Sequence, residues 1–217
     1  MVGNVALLGS GNLLLAAPGA TFPLQTGQRI DGGGGELELA APTAGASAGG
    51  AAASVGTLAG IGSSFVNFGT LVVDIGAAWE ISGDAGAYRF LNDGTIIVAN
   101  GIVAAGDALV FGVLGEDPGE HGVIDLGNSG TAEFTGAVDG GQTLVFTDAT
   151  ATLQLADPGQ FTARISDFRS GDVIDFVDTA VTAYRYAKGT LALSGNDGAV
   201  GVLLFAGRYG RHDFQLS

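Results

Sequence analysis

Cysteine is absent from this 217-residue sequence, which excludes disulfides, thiolate metal sites and a cysteine nucleophile. Basic residues are scarce: 8 Lys and Arg stand against 22 Asp and Glu, for a net charge of -14. No basic patch exists to neutralise phosphates, so nucleic acid is not an expected partner. Long apolar runs are also missing, and none approaches the roughly 18 residues of a membrane-spanning helix, so no membrane span is expected. The apolar start, Met1 to Ala17, is broken by Gly3, Gly9 and Gly11 and lacks a basic opening, so it does not match a secretory signal peptide. Histidine occurs only at His121 and His212, too far apart in sequence for ligand-like spacing, which disfavours zinc.

What is present points one way. Glycine occurs 39 times, charged residues make up only 14%, and 47% of residues are hydrophobic. Disordered chains combine low hydrophobicity with high charge, so this composition favours a folded, repetitive β architecture. Short apolar runs are bounded by Gly, Asn, Asp and Pro, the pattern of strands and turns rather than helices. Expected strands include Asn12–Ala16, Glu36–Ala40, Leu71–Asp74, Trp79–Ser82, Thr95–Ala99, Gln142–Thr147, Thr152–Ala156 and Val173–Val177.

A loose repeat sets a strand before a Gly-centred turn and an aromatic, ending at Phe22, Trp79, Phe134 and Phe161. Those residues are separated by roughly 57, 55 and 27 positions, multiples of about 27, a length suited to one turn of a solenoid. Units missing from the series would fall near Ala51 and near Gly106 to Leu109. The reading is all-β, a right-handed parallel β-helix (β-solenoid), formed as a single domain over residues 1–217. Small and β-branched residues would stack inside a narrow prism while glycine takes the corners. Phe65, Phe68, Phe90, Phe111 and Phe146 join Trp79, Phe134 and Phe161 as expected core or corner residues. Asn67, between two Phe residues and before Gly69, is a candidate corner cap through its side-chain amide. Residues 40–54 are low-complexity Ala, Gly and Ser with Pro42 and read as a long loop.

Residues Gly56 to Trp79, with Phe65-Val66-Asn67-Phe68-Gly69-Thr70-Leu71-Val72-Val73-Asp74 inside them, resemble the repeats of large alphaproteobacterial β-helix proteins and autotransporter passengers. The segment of about 153–217 is similar to the part of such proteins that precedes an autoprocessing Hint domain. The residues carrying that likeness are Leu153 to Phe161, Ile165-Ser166-Asp167-Phe168 and Gly171-Asp172-Val173-Ile174-Asp175-Phe176, continuing through Tyr186 to Leu193, Leu203 to Tyr209 and Phe214. The Hint nucleophile is a cysteine and this sequence has none, so self-cleavage is not assigned to it. The same Asp-Phe, Gly-Asp and Ile-Asp arrangement also resembles the segment closing calcium-binding RTX repeats of type I secreted proteins. That resemblance implies export without an N-terminal signal, and it makes Asp167, Asp172 and Asp175 candidate calcium ligands. The glycine-rich nonapeptides that hold calcium in that family are missing.

β-Helices also host polysaccharide lyases and glycoside hydrolases, so acids, bases and cations on one face of successive coils were sought. The best carboxylate sets are Asp74 with Glu80 and Asp84, or Glu36 with Glu38, whose alternation puts both on one side of a strand. A lyase base would be Lys188 or one of Arg164, Arg169 and Arg185, but these read as exposed turn residues in preference to a base. Asp31-Gly32-Gly33-Gly34-Gly35 lacks the lysine and helix of a phosphate loop and reads as a coil corner or hairpin turn. No nucleophile elbow or Ser-His-acid triad is present.

These readings lead to a non-catalytic structural or adhesive module of a secreted or cell-surface bacterial protein, with no cofactor required and calcium as an option. Carbohydrate or a cell surface is the expected partner, together with flanking domains of a longer chain, because terminal coils lacking an obvious cap need covering. The alternatives are a polysaccharide-acting β-helix enzyme and a calcium-stabilised type I secretion module.

Overall fold

The computed structural model describes residues 4–42, 55–99, 108–127, 129–210 and 213–216. Among these there is no α-helix, and the strands stack as a β-solenoid of about six turns. The first two coils contain β1 (Val5–Ala6), β2 (Leu13–Ala16), β3 (Ile30–Asp31) and β4 (Glu36–Leu39). The next contributes β5 (Gly56–Ile61), β6 (Phe65–Val66) and β7 (Thr70–Val73), and a long strand, β8 (Ala78–Asn92), follows. The later coils hold β9 (Thr95–Ala99), β10 (Ala108–Gly115), β11 (Val123–Gly127), β12 (Thr131–Phe134), β13 (Thr143–Phe146), β14 (Thr152–Leu155), β15 (Arg164–Ser166) and β16 (Val173–Phe176). The chain ends in β17 (Ala183–Ala187), β18 (Thr190–Gly195) and β19 (Gly198–Phe205).

Three parallel ladders make three faces. Face one stacks β1, β3 and β6, then the middle of β8, β10, β12, β14 and β16. Face two stacks β2, β4, β7, the end of β8 and the end of β10, and continues through bridges at Val138 and Phe161. Face three stacks β5, the start of β8, β9, β11, β13, β15 and β19. The long β8 therefore touches all three faces. It bends at Gly83, whose φ of 120° and close approach to the Ile61 carbonyl leave no room for a side chain.

Strand alternation explains which residues line the interior. In β4, β7, β12, β13 and β14 every second side chain is buried, so the others face solvent. Register then turns alternation into columns. On face two Leu37, Leu71, Phe90, Leu114, Val138 and Phe161 follow one another, and on face three Ile96, Ile124, Leu144, Ile165 and Phe205 do. All of these are buried in one continuous cluster. Each fully buried aliphatic or aromatic side chain contributes about 1.5–3 kcal/mol relative to exposure, so the columns are the main source of stability.

Two expectations are corrected here. The coil is not a unit of about 27 residues: in the C-terminal half, partners such as Gln154 and Asp175 stand 21 residues apart. The four landmark aromatics misled because they occupy different places. Trp79 lies on face three, Phe134 on face one and Phe161 on face two, while Phe22 packs edge-on against Phe65. The segment read as a turn before Phe134 is strand β12. The second correction concerns the C-terminal end, where an uncapped coil was expected. There β17, β18 and β19 form an antiparallel meander. Its Leu191, Leu193, Leu203 and Phe205 join the solenoid core.

Several expectations hold. Asn67 occupies a corner with φ of 56° and donates from Nδ2 to Asp31 Oδ2 at 3.0 Å. Asp31 Oδ1 in turn accepts the Gly33 N–H at 3.1 Å, making the Gly-rich run a coil corner. Of the low-complexity stretch at 40–54, residues 43–54 lie outside the described residues, as do Ala51, Gly106 and Asp107 of the repeat series.

Candidate functional site

The last coil and the antiparallel meander enclose a cleft of about 920 Å³, lined among others by Arg169, Asp172, Ile174, Tyr184, Arg208 and Phe214. Of the three candidate calcium ligands, Asp172 and Asp175 line this cleft and Asp167 does not, and each has its own local task. Asp172 is nearly buried; its Oδ2 accepts the Arg169 N–H at 2.9 Å and its Oδ1 accepts the Ala151 N–H at 3.4 Å. It caps a turn and ties it to the preceding coil. Asp175 faces outward from β16 and accepts from Gln154 Nε2 at 3.1 Å. Asp167 has φ of 56°, lies beside Ser166 Oγ, and its carbonyl accepts from Arg169 Nε at 3.3 Å. Among the described residues no three His, Cys, Asp or Glu side chains are grouped to hold a metal ion.

The cations considered for a lyase are likewise distributed. Arg169 donates from Nη2 to the Phe146 and Thr147 carbonyls at 2.7 and 2.9 Å, so its guanidinium fastens one coil to the next. Arg164 is exposed on β15, Arg185 is exposed on β17, and Lys188 occupies the tight turn after β17 with φ of 51°. His121 is exposed in the loop before β11, and His212 lies outside the described residues.

The carboxylate sets are regrouped by the coil register. Glu36 and Glu38 share the outer side of β4, as their alternation implied. Glu38 also neighbours Asp74 on the next coil. Desolvation first, then the charge and hydrogen-bonding influence of the Asp74 carboxyl, and finally the Glu36 charge raise its pKa above the usual carboxylate value. Glu80 stands on face three between Thr57 and Ile97, and partial burial raises its pKa. Asp84 stands on face one and holds the Gly86 N–H at 2.9 Å. The structure thus joins Glu38 to Asp74 and places Glu80 and Asp84 on other faces.

One polar constellation has no counterpart in the sequence reading. Asn92 and Gln142, both fully buried, are linked across coils: Asn92 Nδ2 donates to Gln142 Oε1 at 2.8 Å. Gln142 Nε2 donates to the Asn92 carbonyl at 2.8 Å and to Glu116 Oε2 at 3.1 Å. Because the two residues are 50 positions apart, no local motif announces the pair. The network satisfies amides that would otherwise be costly to bury.

Outward rows complete the surface. On face one Thr131, Thr152 and Val173 align, beside Glu133, Gln154 and Asp175. Ser129 and Thr150 hydroxyls hydrogen-bond at 2.7 Å along the same edge. These features define the class of protein: a parallel β-solenoid with ordered lateral rows and a C-terminal antiparallel meander. No protein-family model, curated protein or solved structure matches the chain.

Proposed function

We propose that this chain is a non-catalytic structural or adhesive module of an exported or cell-surface protein, engaging an extended partner such as a polysaccharide along its sides. The observation that carries the reading is the register of Thr131, Thr152 and Val173 beside Glu133, Gln154 and Asp175. Neighbouring strands in a sheet lie about 4.8 Å apart, so such rows offer repeated weak contacts to a repeating chain. Of the groups weighed for catalysis, Asp84 holds a corner N–H and Arg169 ties one coil to the next, while Arg164 and Arg185 stand singly on their strands. The test is retention of the protein on a panel of immobilised neutral and acidic polysaccharides, with release of new reducing ends followed in parallel. Retention that weakens in a Thr131→Lys, Thr152→Lys variant, with no chain cleavage, is the expected result. Cleavage, or retention unaffected by the variant, would overturn it.

A second reading, a polysaccharide-cleaving enzyme, is supported by the Glu38 and Asp74 contact, because an acid with a raised pKa beside a carboxylate is the pairing glycoside hydrolysis uses. It requires cleavage by the wild-type chain that Glu38→Gln abolishes.

A further inference from the structure

We infer that face one binds a β-linked amino-sugar polymer with free amines, laid along the solenoid axis with its cationic groups on a column of carboxylates. The inference rests on the reading above that the sides engage a polysaccharide, and it names the charge and the period of that partner. Register sets Asp84, Val110, Glu133, Gln154 and Asp175 one above another over five consecutive coils. These side chains face outward, while their strand neighbours Phe111, Ala132 and Leu153 are buried. A carboxylate therefore recurs at every second coil, with an uncharged side chain between. Adjacent strands lie about 4.8 Å apart, so successive carboxylates are roughly 10 Å apart and do not converge on one metal ion. The two ends of the column are held in place, Asp84 by the Gly86 N–H at 2.9 Å and Asp175 by Gln154 Nε2 at 3.1 Å.

Charge and period together choose the occupant. Strands β10, β12, β14 and β16 contain no Lys or Arg, and Arg29 and Arg89 are the only basic residues before Arg164. A polyanion is repelled from this column, whereas ammonium groups gain a charge-assisted hydrogen bond at each carboxylate. Among polycations, an extended peptide presents same-side groups about 6.6 Å apart, out of step with the column. In an extended β-1,4-linked chain successive sugars are flipped, so equivalent groups return to one side at every second sugar, a distance close to two coils. Thr131 and Thr152 flank the carboxylates in register and offer hydroxyls to the rings, and Val110 offers an apolar contact. Such contacts, weak singly, reinforce one another along a continuous chain.

Isothermal titration with the hexamer of β-1,4-linked glucosamine tests this, beside its fully N-acetylated counterpart, at a mildly acidic pH where the sugar amines are protonated. Circular dichroism confirms that each variant is folded. The amine form should bind about tenfold more tightly than the acetylated one and should weaken as salt rises. Glu133→Gln should cost about threefold, and Glu133→Gln with Asp175→Asn about tenfold. Asp117→Asn removes the same charge from the loop before β11 and should leave binding unchanged. Glu133→Gln with Gln154→Glu keeps the net charge but puts the carboxylates out of step, and it should bind as weakly as Glu133→Gln alone. An amine form no tighter than the acetylated one, full binding by the out-of-step variant, or a loss in Asp117→Asn equal to that in Glu133→Gln would each overturn the inference. Retention on neutral polysaccharides in the first of these cases would leave the adhesive reading standing, so the two failures are told apart.

Discussion

The rings of Phe111 and Phe134, register partners on face one, lie 4.6 Å apart with their planes 5° from parallel. Phe90 meets Phe111 edge-on at 5.2 Å and Phe161 meets Phe134 edge-on at 5.5 Å, so four aromatics link consecutive coils through the interior. Replacing Phe134 by Ala removes a stack and an edge contact and leaves a cavity in a continuous column. The expected cost is about 3–5 kcal/mol in chemical denaturation. Phe134→Leu, which keeps most of the volume, should cost clearly less. Equal losses would show that the site collapses freely and that the rings do not tie the coils together.

The buried amide pair makes a sharper prediction. Removing Asn92 leaves Gln142 without the partner of its Oε1, and removing Gln142 leaves Asn92 Nδ2 short of an acceptor. Each single alanine change should cost about 1–3 kcal/mol plus the packing lost. The double variant should cost measurably less than the two added, because the second change removes a group already orphaned. Additive losses in a double-mutant cycle would mean that the two amides act independently.

How much of this was legible in the sequence depends on the range of the interaction involved. Strand β9 falls at Thr95–Ala99 as read, since alternation and flanking glycine are local signals. The coil length was misjudged because Trp79, Phe134 and Phe161 are equivalent in sequence context but not in face. Composition says that aromatics fill a column; it does not say which wall each one comes from. The meander of β17 to β19 was missed for a related reason: its strands carry the same apolar runs as a coil, and only pairing reveals them as antiparallel. At the candidate site, the Glu36 and Glu38 pair was readable within one strand, whereas the contact of Glu38 with Asp74 depends on the register between coils. Asp172 drew notice as a carboxylate, but its role as an acceptor for two backbone N–H groups needs the neighbouring coil in place.

Ser82 presents the opposite case to the amide pair. Its Oγ is buried and has no hydrogen-bond partner among the described residues. Ser82→Ala removes an unpaired polar atom without opening a large cavity, so it should leave stability unchanged or raise it by about 1 kcal/mol. A loss above that range in denaturant unfolding would show that a water or another group satisfies the hydroxyl in solution.

Asp172 separates a structural carboxylate from a metal ligand. Alanine at this position strands the Ala151 and Arg169 N–H groups, and a loss of about 1–3 kcal/mol is expected. Asn keeps an acceptor oxygen and should recover part of it. A chelator should leave the wild-type melting temperature unchanged, because among the described residues no second and third acidic or His side chain joins Asp172 to hold an ion. A marked fall on chelation would instead identify calcium as part of the folded state.

Glu38 gives the fold a pH dependence whose sign can be worked out. Desolvation, the charge and hydrogen-bonding influence of Asp74, and the Glu36 charge hold its pKa above the 4.5 of a free glutamate, so the folded chain binds this proton more tightly than the unfolded one. The corresponding stabilisation is full below the unfolded value and is lost as pH rises through the raised folded value. Glu38→Gln cannot ionise and should therefore melt higher than wild type at neutral pH, with the difference vanishing well below 4.5. Asp74→Asn removes one neighbouring charge and should lower the Glu38 pKa. The same change should leave Glu80 unmoved, because its shift arises from burial. Carboxyl resonances followed by NMR titration distinguish these cases. A Glu38 pKa indifferent to Asp74→Asn, or a gain from Glu38→Gln that persists in acid, would show that the two carboxylates are not coupled across the coils.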